Sequence, residues 1–494
     1  MNTIKKKIMI ILGVMVVLIG GIYSIDIPAN AGENTVELKD IPLNQEYFPG
    51  EYFRRYVTVM YDTNQDGILS EEERISVKKM SLTVRKTLKA IGEPVRVGDR
   101  PELDITGIEH FSELEIVRMQ NWHLTGEGLE GLKNLKKLDM NCCGLDEYTQ
   151  LNIPSLEILK FRENEASLSC VSTVGFPELK KLYLEAYQEG KILSLDVSKN
   201  KKLEKMVCNL PQLSKIDITN NKKLEILDLA LTEIEGIDLT NNRALIKCHV
   251  ASKIMSEVDL SKNVNIVDLN IEGGKIKEID VSNLRKVERM YICGTLIKEL
   301  SLENNRNLKR LGCFMNKMEK IDLSHNKKLN WLDCSNNKLK EVDISHLKNL
   351  EYLSCEKNQI TEIDIRNNKK LTALFAHDCK VKKLDVSMMP KKSTLQMWNN
   401  EMQELKISKW MLVFRYDDKR PILYSWLYDY TDGNNIQTLD IGKITSMNQI
   451  ERKGLERWVL QKIKILKVSQ RMAAKDKKYI KKLAKKYKVT VQYV

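Results

Sequence analysis

The chain has 494 residues, of which 42% are hydrophobic and 30% are charged, and its formal net charge is +13. This composition is ordinary for a folded soluble protein and excludes a disordered polyelectrolyte. The excess charge is local. Residues 443–494 contain 16 Lys/Arg and 3 Asp/Glu, a difference of +13 that leaves the remainder neutral overall.

The start of the chain predicts export. Three lysines at positions 5–7 precede an apolar run, Ile8–Ile22, and Ala-Asn-Ala at 29–31 is the small-x-small pattern that signal peptidase cuts after. We therefore assign residues 1–31 to a signal peptide; the alternative is an uncleaved membrane anchor. Both interpretations predict that the rest of the chain is secreted, extracellular or at the cell surface.

Residues 32–103 predict an N-terminal cap. Apolar residues at helical spacing predict a helix from Pro49 to Met60. The helix leads into Asp62–Glu73, which matches the EF-hand loop D-x-[DN]-x-[DN]-G-x5-E and predicts calcium as the cofactor. The alternative is an acidic turn ahead of a helix. The predicted calcium ligands, all through oxygen, are Asp62, Asn64, Asp66, Ile68, Ser70 and Glu73.

After the loop, residues 74–103 are basic and irregular, and they predict a second helix followed by a connector. From residue 104 to 408 the sequence predicts a solenoid. A unit of 21 residues recurs without a slip between Met206 and Leu395, and its best window, Leu329–Leu339, reads LxxLxCxxNxL. About fourteen coils result. Their inward-facing fourth positions are Val117, Leu138, Leu159, Leu182, Met206, Leu227, Cys248, Leu269, Met290, Leu311, Leu332, Leu353, Leu374 and Leu395.

This unit resembles the leucine-rich repeat family. The resemblance implies an α/β solenoid whose stacked coils present an extended binding surface rather than a pocket for chemistry. The N-terminal part of the chain also resembles bacterial surface proteins of internalin style, which carry an EF-hand-like N-terminal cap. The resemblance lies in the order of three segments, Tyr52–Val57, the calcium loop and Gly107–Phe111. That likeness covers roughly residues 45 to 408 and implies a surface role in binding a protein or a glycan on another surface. The chain departs from it at 76–103 and in its tail.

The cysteines follow the repeat. Cys313, Cys334 and Cys355 occupy one inward-facing position of successive coils. Equivalent side chains on neighbouring parallel strands lie about 4.8 Å apart, wider than the Cβ separation of about 3.8 Å in a disulfide. We interpret these three as buried apolar residues. The sequence leaves open the redox state of Cys142, Cys143 and Cys170.

Two polar rows accompany the repeat. A row of aspartates, one per coil, is interpreted as capping the Ser/Thr-x-Asn turn that follows; calcium bridging along the row is the alternative. A row of asparagines is predicted to satisfy backbone groups where the chain turns. The ninth-position asparagine of the motif is lost in the middle coils, which are therefore predicted to be irregular. It is replaced there by Pro211, Thr232, Lys253, Gly274 and Thr295.

Late coils place aromatic residues at outward positions of the first strand. Solvent-facing aromatic clusters mark interaction sites, so we predict a ligand-binding patch there. The alternative is that the C-terminal segment covers these rings. The patch consists of Tyr291, Phe314, Trp331, Tyr352, Phe375 and Trp398, with His377 beside them.

Residues 409–494 break the period and predict a basic C-terminal α/β cap, ending in a strand (463–468), a helix (473–487) and a strand (489–494). Its lysine stripe is interpreted as a solvated face, with an anionic cell-wall polymer or lipid headgroups as alternative partners. No nucleic-acid partner is expected.

No catalytic motif occurs, and we predict a non-enzymatic binding protein. Only His377-Asp378-Cys379 brings a base near a thiol, and His377 and Cys379 are expected to point in different directions. The alternatives are a structural protein held to a wall or membrane by its basic tail, and an unrecognised hydrolase in that tail.

Overall fold

The computed structural model describes residues 40–96, 98, 100–143, 151–163, 170–186, 192–390, 393–409, 434, 436–460 and 463–494. The predicted signal peptide lies outside the described residues. Residues Ile41–Val494 form one compact unit. Among the described helices, none is long and apolar enough to cross a membrane.

The N-terminal segment packs a helix and the predicted loop against the first coil. The predicted helix is α1, and its buried face carries Phe53, Tyr56 and Val57. The elements in chain order are β1 (Ile41–Pro42), α1 (Glu51–Tyr61), β2 (Ile68–Leu69), α2 (Glu71–Ser76), β3 (Lys79–Thr83) and α3 (Val84–Ala90). Residues 74–103 thus contain a helix, as expected, but also β3, which the sequence interpretation missed. Met80 and Leu82 of β3 are buried because they pair with Val117 and Met119 of the first repeat strand.

Every coil of the repeat region contributes a strand to one long sheet, and the first and last coils add a shorter strand on their second side. In chain order the strands are β4 (Glu102–Asp104), β5 (Ile116–Gln120), β6 (His123–Thr125), β7 (Lys137–Asn141), β8 (Ile158–Glu163), β9 (Cys170–Ser172), β10 (Lys181–Ala186), β11 (Ser194–Asp196), β12 (Lys205–Asn209), β13 (Lys215–Asp217), β14 (Ile226–Thr232), β15 (Lys247–Ser252), β16 (Asp268–Glu272), β17 (Arg289–Cys293), β18 (Arg310–Gly312), β19 (Trp331–Asp333), β20 (Tyr352–Ser354), β21 (Ala373–Phe375), β22 (Lys383–Asp385), β23 (Thr394–Gln396) and β24 (Glu404–Lys406). Two 3₁₀ turns, Ile108–His110 and Leu129–Gly131, lie in the first coils.

One sheet of fifteen parallel strands runs the length of the solenoid, from β3 to β23. Fourteen of these strands each contain one of the predicted fourth-position residues, so the predicted register is confirmed, and β3 adds the fifteenth. Side chains alternate across a strand, which directs fourth and sixth positions inward and third, fifth and seventh positions outward. Leu332 is fully buried, whereas its neighbours Trp331 and Asp333 are half-buried.

The predicted turn chemistry of the aspartate row is confirmed. Each aspartate accepts a hydrogen bond from the backbone N–H two residues later, as Asp217 does from Thr219 at 2.9 Å. This bond holds the turn and, with the Thr219 hydroxyl, lowers the pKa of Asp217. The same N–H bond is formed by Asp196, Asp238, Asp259, Asp280, Asp322, Asp343, Asp364 and Asp385.

The asparagine row also behaves as predicted. Asn221 is fully buried, and its side-chain amide donates to the carbonyls of Val197 and Asn200 at 3.0 and 2.9 Å. Each such residue therefore joins its coil to the preceding one by two hydrogen bonds. The others in the row are Asn200, Asn242, Asn263, Asn305, Asn326 and Asn368.

Irregularity in the middle coils is confirmed as well. The pairing of β14 with β15 changes register between Leu229 and Thr232, and these strands have seven and six residues, against three in β18 to β21. The Thr232 hydroxyl donates to the Ala251 carbonyl at 2.9 Å, which partly replaces the missing asparagine.

The cysteines of the repeat are buried, as predicted. Cys313, Cys334 and Cys355 have no exposed surface and are free thiols. Burial raises the pKa of all three well above the ordinary value.

The C-terminal segment continues the second side of the coils. Its elements are β25 (Thr438–Ile441), α4 (Gln449–Leu460), β26 (Ile465–Val468), α5 (Ala474–Tyr487) and β27 (Thr490–Tyr493). The last strand, helix and strand lie where the sequence predicted them. Together β22, β24, β25, β26 and β27 form a five-stranded parallel sheet.

Candidate ligand-binding surface and calcium loop

Four of the predicted patch residues form a continuous row of rings on the outward side of the long sheet. Trp331 and Tyr352 are directly paired on β19 and β20, and their rings stack with centroids 5.0 Å apart and planes 13° apart. Tyr291 lies 5.7 Å from Trp331, and Phe375 lies 5.3 Å from Tyr352. We call Tyr291, Trp331, Tyr352 and Phe375 the aromatic strip. It spans the five strands β17 to β21.

A glycine makes the strip continuous. Gly312 lies between Tyr291 and Asp333 in the fifth-position column. A Cβ atom on Gly312 would come within 2.5 Å of the Tyr291 ring. Tyr291 therefore leans over Gly312 and reaches Trp331, two strands away.

The remaining patch residues lie at seventh positions. Trp398 stacks on His377, with ring centroids 4.1 Å apart and planes 11° apart. We call these two the His–Trp pair. Phe314 is half-buried in the same column, and no ring contact joins it to another described aromatic residue. The structure thus assembles the predicted patch as one strip, one pair and a separate phenylalanine.

Polar groups border both aromatic clusters. The His377 ring nitrogens lie 2.8 Å from Asp378 Oδ2 and 3.6 Å from Glu356 Oε2. The Ser354 hydroxyl, beside the strip, donates to Glu356 at 2.9 Å. Burial raises the pKa of Tyr352, so its phenol stays a hydrogen-bond donor at neutral pH. The apolar rings are therefore edged by a phenol and carboxylates.

The earlier strands carry a different outward surface, in which charged side chains pair across neighbouring coils. His249 lies 2.8 Å from Asp228, and Arg289 lies 3.0 Å from Asp268. The Nζ atoms of Lys160 and Lys205 lie over the ring of Tyr183, at 4.7 and 5.1 Å from its centroid. The sequence interpretation did not mention these pairs, although their signal was present as opposite charges 21 residues apart at one motif position.

The described residues show no catalytic use of His377 and Cys379. The Cys379 thiol is directed to the Cys355 carbonyl, 3.3 Å away, and burial raises its pKa to about 11. His377 instead contacts Asp378 and Trp398. The expectation that the two side chains diverge is confirmed.

The predicted calcium loop has the hydrogen-bond skeleton of a tight acidic turn. Asp62 accepts from the backbone N–H groups of Asp66 and Gly67 at 3.2 and 3.1 Å, and Gly67 has a φ of +78°. Ile68 and Leu69 pair with β1, which directs Leu69 into the core.

Glu73, the last predicted ligand, is engaged within the protein. Its Oε1 accepts from the Thr63 N–H and hydroxyl at 2.6 and 2.7 Å, and its Oε2 accepts from the Ser70 N–H and hydroxyl at 3.0 and 2.8 Å. Burial acts to raise its pKa, but these bonds outweigh burial and lower the pKa to about 2. Glu73 is therefore a fixed anion that completes the capping box of α2.

The oxygen-only side chains of the loop fit the chemistry of Ca²⁺. Asp62, Asn64 and Asp66 could contribute oxygens from alternate positions. In the described chain, however, no group of three or more His, Cys, Asp or Glu side chains converges closely enough to hold a metal. Calcium binding would require Glu73 to exchange its bonds to Thr63 and Ser70 for the ion.

The comparisons with known proteins agree with this architecture. Residues 327–387 match the family model for leucine-rich repeats (two copies). The search of curated proteins found no significant match. The chain is similar to the solved structure of the functional domain of InlJ from Listeria monocytogenes, which includes a cysteine ladder. The two are 22% identical, with a TM-score of 0.56, over 74% of this chain and 77% of that one.

Two further solved structures are less similar. A leucine-rich repeat protein of Leptospira interrogans is 20% identical with a TM-score of 0.48, covering 84% of this chain and 100% of that one. The ectodomain of the receptor kinase GASSHO1/SCHENGEN3 of Arabidopsis thaliana is 13% identical with a TM-score of 0.39, covering 76% and 51%. The repeat register, the matched family model and the Listeria structure together identify the fold as a leucine-rich repeat solenoid of parallel coils.

Proposed function

We propose that this protein is a non-catalytic, secreted or surface-displayed binding protein that recognises a protein ligand through the aromatic strip and the His–Trp pair. The observation that carries the proposal is the strip itself, four half-buried rings in contact across five strands. Exposed apolar clusters of this kind are uncommon on surfaces that bind nothing. Aromatic residues are also the group most enriched in the energetic centres of protein interfaces.

The arrangement of the rings favours a protein over a glycan. Trp331 and Tyr352 each have another aromatic ring on both sides, so their neighbours cover much of their faces. Ring edges and polar tips then face the ligand. Such a ridge suits interdigitating apolar side chains and hydrogen-bonding groups of a protein. A flat sugar ring would need an uncovered aromatic face.

The test is a binding screen of the purified protein against arrayed extracellular protein domains and glycans. Signals expected on protein domains should disappear for the variant W331A/Y352A. The matched control, D228A/H249A, removes two outward, partly exposed side chains from the paired-charge part of the same sheet. Signals that survive W331A/Y352A, or that occur on glycans alone, would reject the proposal.

Export belongs to the proposal and rests on the leader sequence. Cleavage after Ala31 would give a mature protein that starts at Gly32. Expression of the full chain in a bacterium and mass spectrometry of the exported protein test this. The variant A31W should block cleavage, because this position must be small, whereas N30W should be cleaved. Retention of residues 1–31 in exported wild-type protein would favour the uncleaved anchor.

Calcium stabilisation is also part of the proposal, and it is supported by the loop's oxygen donors and by Gly67 at the turn. The test is thermal unfolding with CaCl₂, MgCl₂ or NaCl at equal ionic strength. Calcium should raise the unfolding temperature of wild type but not of E73Q. The control E72Q removes the adjacent exposed carboxylate and should keep the calcium effect. Equal unfolding curves in CaCl₂ and NaCl would reject calcium stabilisation and favour the alternative, an acidic turn ahead of a helix.

Attachment through the basic tail is the second candidate function. Lys475, Lys478, Lys481, Lys482 and Lys485 are all exposed on α5. None forms an ion pair with a described residue. Such a face would attract an anionic polymer in a salt-dependent manner. The variant K478E/K482E/K485E should then release the protein from cells, whereas W331A/Y352A should not. No observation favours a hydrolase in the tail.

A further inference from the structure

A cavity of about 230 Å³ lies at the C-terminal end of the solenoid, away from the aromatic strip. It opens beyond the carboxyl ends of three adjacent parallel strands, β22, β24 and β25. The residues that follow these strands line it, namely Ser387, Ser408, Lys409 and 443–446. Crevices beyond the carboxyl ends of parallel strands are common places for ligands, because the loops there can converge without disturbing the sheet.

The lining contains hydrogen-bond donors that no described residue uses, one of them buried and the others exposed. The Ser408 hydroxyl oxygen is buried and has no hydrogen-bond partner among the described residues. The Thr445 and Ser446 hydroxyls and backbone N–H groups are not hydrogen-bonded to any described residue either. A buried hydroxyl without a partner costs free energy, so its presence beside a cavity points to a polar occupant.

One lysine in the lining lies near a carboxylate without forming an ion pair, since Lys443 helps to lower the pKa of Asp385. Lys443 Nζ lies 3.2 Å from Met388 Sδ, and it forms no ion pair with a described residue. The neighbouring carboxylates are engaged elsewhere. Asp385 accepts from the Ser387 hydroxyl, and Glu451 lies 3.4 Å from Lys409 Nζ and accepts from the Asn448 N–H. Asp440 accepts from the Gly442 N–H at 2.7 Å. Lys443 is therefore the charge available to a ligand.

We propose that this cavity binds a tetrahedral oxyanion, phosphate or sulfate, through Lys443 and the hydroxyls of Ser408, Thr445 and Ser446. Oxyanions accept many hydrogen bonds, and a lysine with several hydroxyl donors matches that need. The cavity is smaller than the roughly 300–1,000 Å³ typical of sites for cofactors and drug-sized molecules. It therefore suits an ion or the esterified head of a larger molecule. This site is independent of the protein-binding surface proposed above.

The test is thermal unfolding and calorimetric titration of the purified protein with sodium phosphate and sodium sulfate, against sodium chloride at equal ionic strength. Phosphate or sulfate should raise the unfolding temperature in a saturable way, and chloride should not. No difference among the three salts would overturn the proposal.

Three variants decide whether the effect arises in the cavity. K443A should weaken anion binding by about tenfold or more, because it removes a charged donor of the lining that forms no ion pair with a described residue. S408A removes an unpartnered hydroxyl, so it should leave the anion-free protein at least as stable and still weaken binding. K478A makes the same charge change as K443A on exposed α5 and should bind like wild type. Equal losses in K443A and K478A would show diffuse attraction and overturn the site.

Two esters separate the sources of the ligand. Methyl phosphate resembles the end of a phosphate-bearing chain, and dimethyl phosphate resembles an internal link of a phosphodiester polymer. Binding of phosphate and methyl phosphate alone would indicate a free ion or a chain end. Binding of dimethyl phosphate as well, lost in K443A, would indicate a polymer backbone. Binding of an ester that K443A and S408A leave unchanged would place it outside the cavity and count against the proposal.

Discussion

The outward side of the long sheet is divided into two regions built on one backbone pattern. From β14 to β17 its charged side chains pair with one another, as Asp228 does with His249 and Asp268 with Arg289. From β17 to β21 the same third and fifth positions carry the aromatic strip. In the first region these four charged side chains each have a partner inside the protein. In the second the four half-buried rings contact one another, and Ser354 lies against Tyr352.

The two regions show that the residues that fold the repeat and the residues that set its outward surface occupy different positions of each strand. The inward positions are apolar in both regions, because every coil buries them against its neighbours. The outward positions contribute little to that burial and are therefore free to vary. A paired-charge surface is compatible with water and gives a partner little to bind. An aromatic surface is tolerated in water, but it gains most when a partner covers it.

The largest predicted effect tests the shared core. L227A, under the paired-charge region, and L332A, under the aromatic strip, should each destabilise the protein by about 2–5 kcal/mol, because each removes a fully buried side chain from a packed coil. Urea unfolding followed by circular dichroism measures both. A loss confined to one variant would mean that the two regions differ in packing as well as in surface.

The second prediction compares the outward residues. W331A/Y352A should cost about 1–3 kcal/mol, because it removes a stacked pair and part-buried apolar area. D228A/H249A should cost no more than about 1 kcal/mol. Raising the NaCl concentration should shrink the second cost and leave the first unchanged, since only charges are screened. If the stability cost of W331A/Y352A also fell as the NaCl concentration rose, the division into two regions would be contradicted.

Much of this architecture could be predicted because the repeat pattern occurs fourteen times in the sequence. Leu332 and its equivalents predicted the register, Asp217 predicted a capped turn, and Asn221 predicted a buried amide that satisfies backbone groups at the turn. That this amide joins two coils was learned from the structure. The aromatic patch was predicted too, since alternation alone assigns Trp331 and Tyr352 to one face. Their mutual stacking is a consequence of the 21-residue spacing.

What the sequence did not reveal depends on contacts between distant segments. The short apolar alternation of Met80 and Leu82 became a strand only because β5 offered an unpaired edge beside it. The cavity proposed to bind an oxyanion joins Ser408 to Lys443 and Ser387 from three separate turns, and no motif relates their spacing. The alternative raised by the sequence, that the C-terminal segment covers the aromatic rings, falls in part on residues 410–433, which lie outside the described residues.

The third prediction uses acid to distinguish the regions. The His249 hydrogen bond to Asp228 lowers the pKa of that carboxyl below its ordinary value of 3.8. The stabilisation that it adds is complete above that value and is lost as the pH falls below it. Backbone hydrogen exchange, corrected for intrinsic rates, should therefore quicken in β14 and β15 as the pH is lowered from about 5 to about 2. Strands β19 and β20, under stacked rings, should change less.

The smallest effect is expected from a single methyl group. In G312A the added Cβ would meet the Tyr291 ring at 2.5 Å, so the ring must move away from Trp331. The stability cost should be at most about 1 kcal/mol, because Gly312 is buried beneath the Tyr291 ring and only one contact of that ring is broken. Near-ultraviolet circular dichroism should nevertheless change, and ligand binding should weaken.

The control for this prediction is G236A, a glycine whose added Cβ would come no closer than 3.8 Å to any neighbour. It should alter neither the aromatic signal nor binding. If G312A also leaves the aromatic signal and ligand binding unchanged, Tyr291 does not contribute to binding. The proposed binding surface would then begin at Trp331. If G312A abolishes binding while stability holds, the continuity of the strip, rather than any one ring, is what the ligand requires.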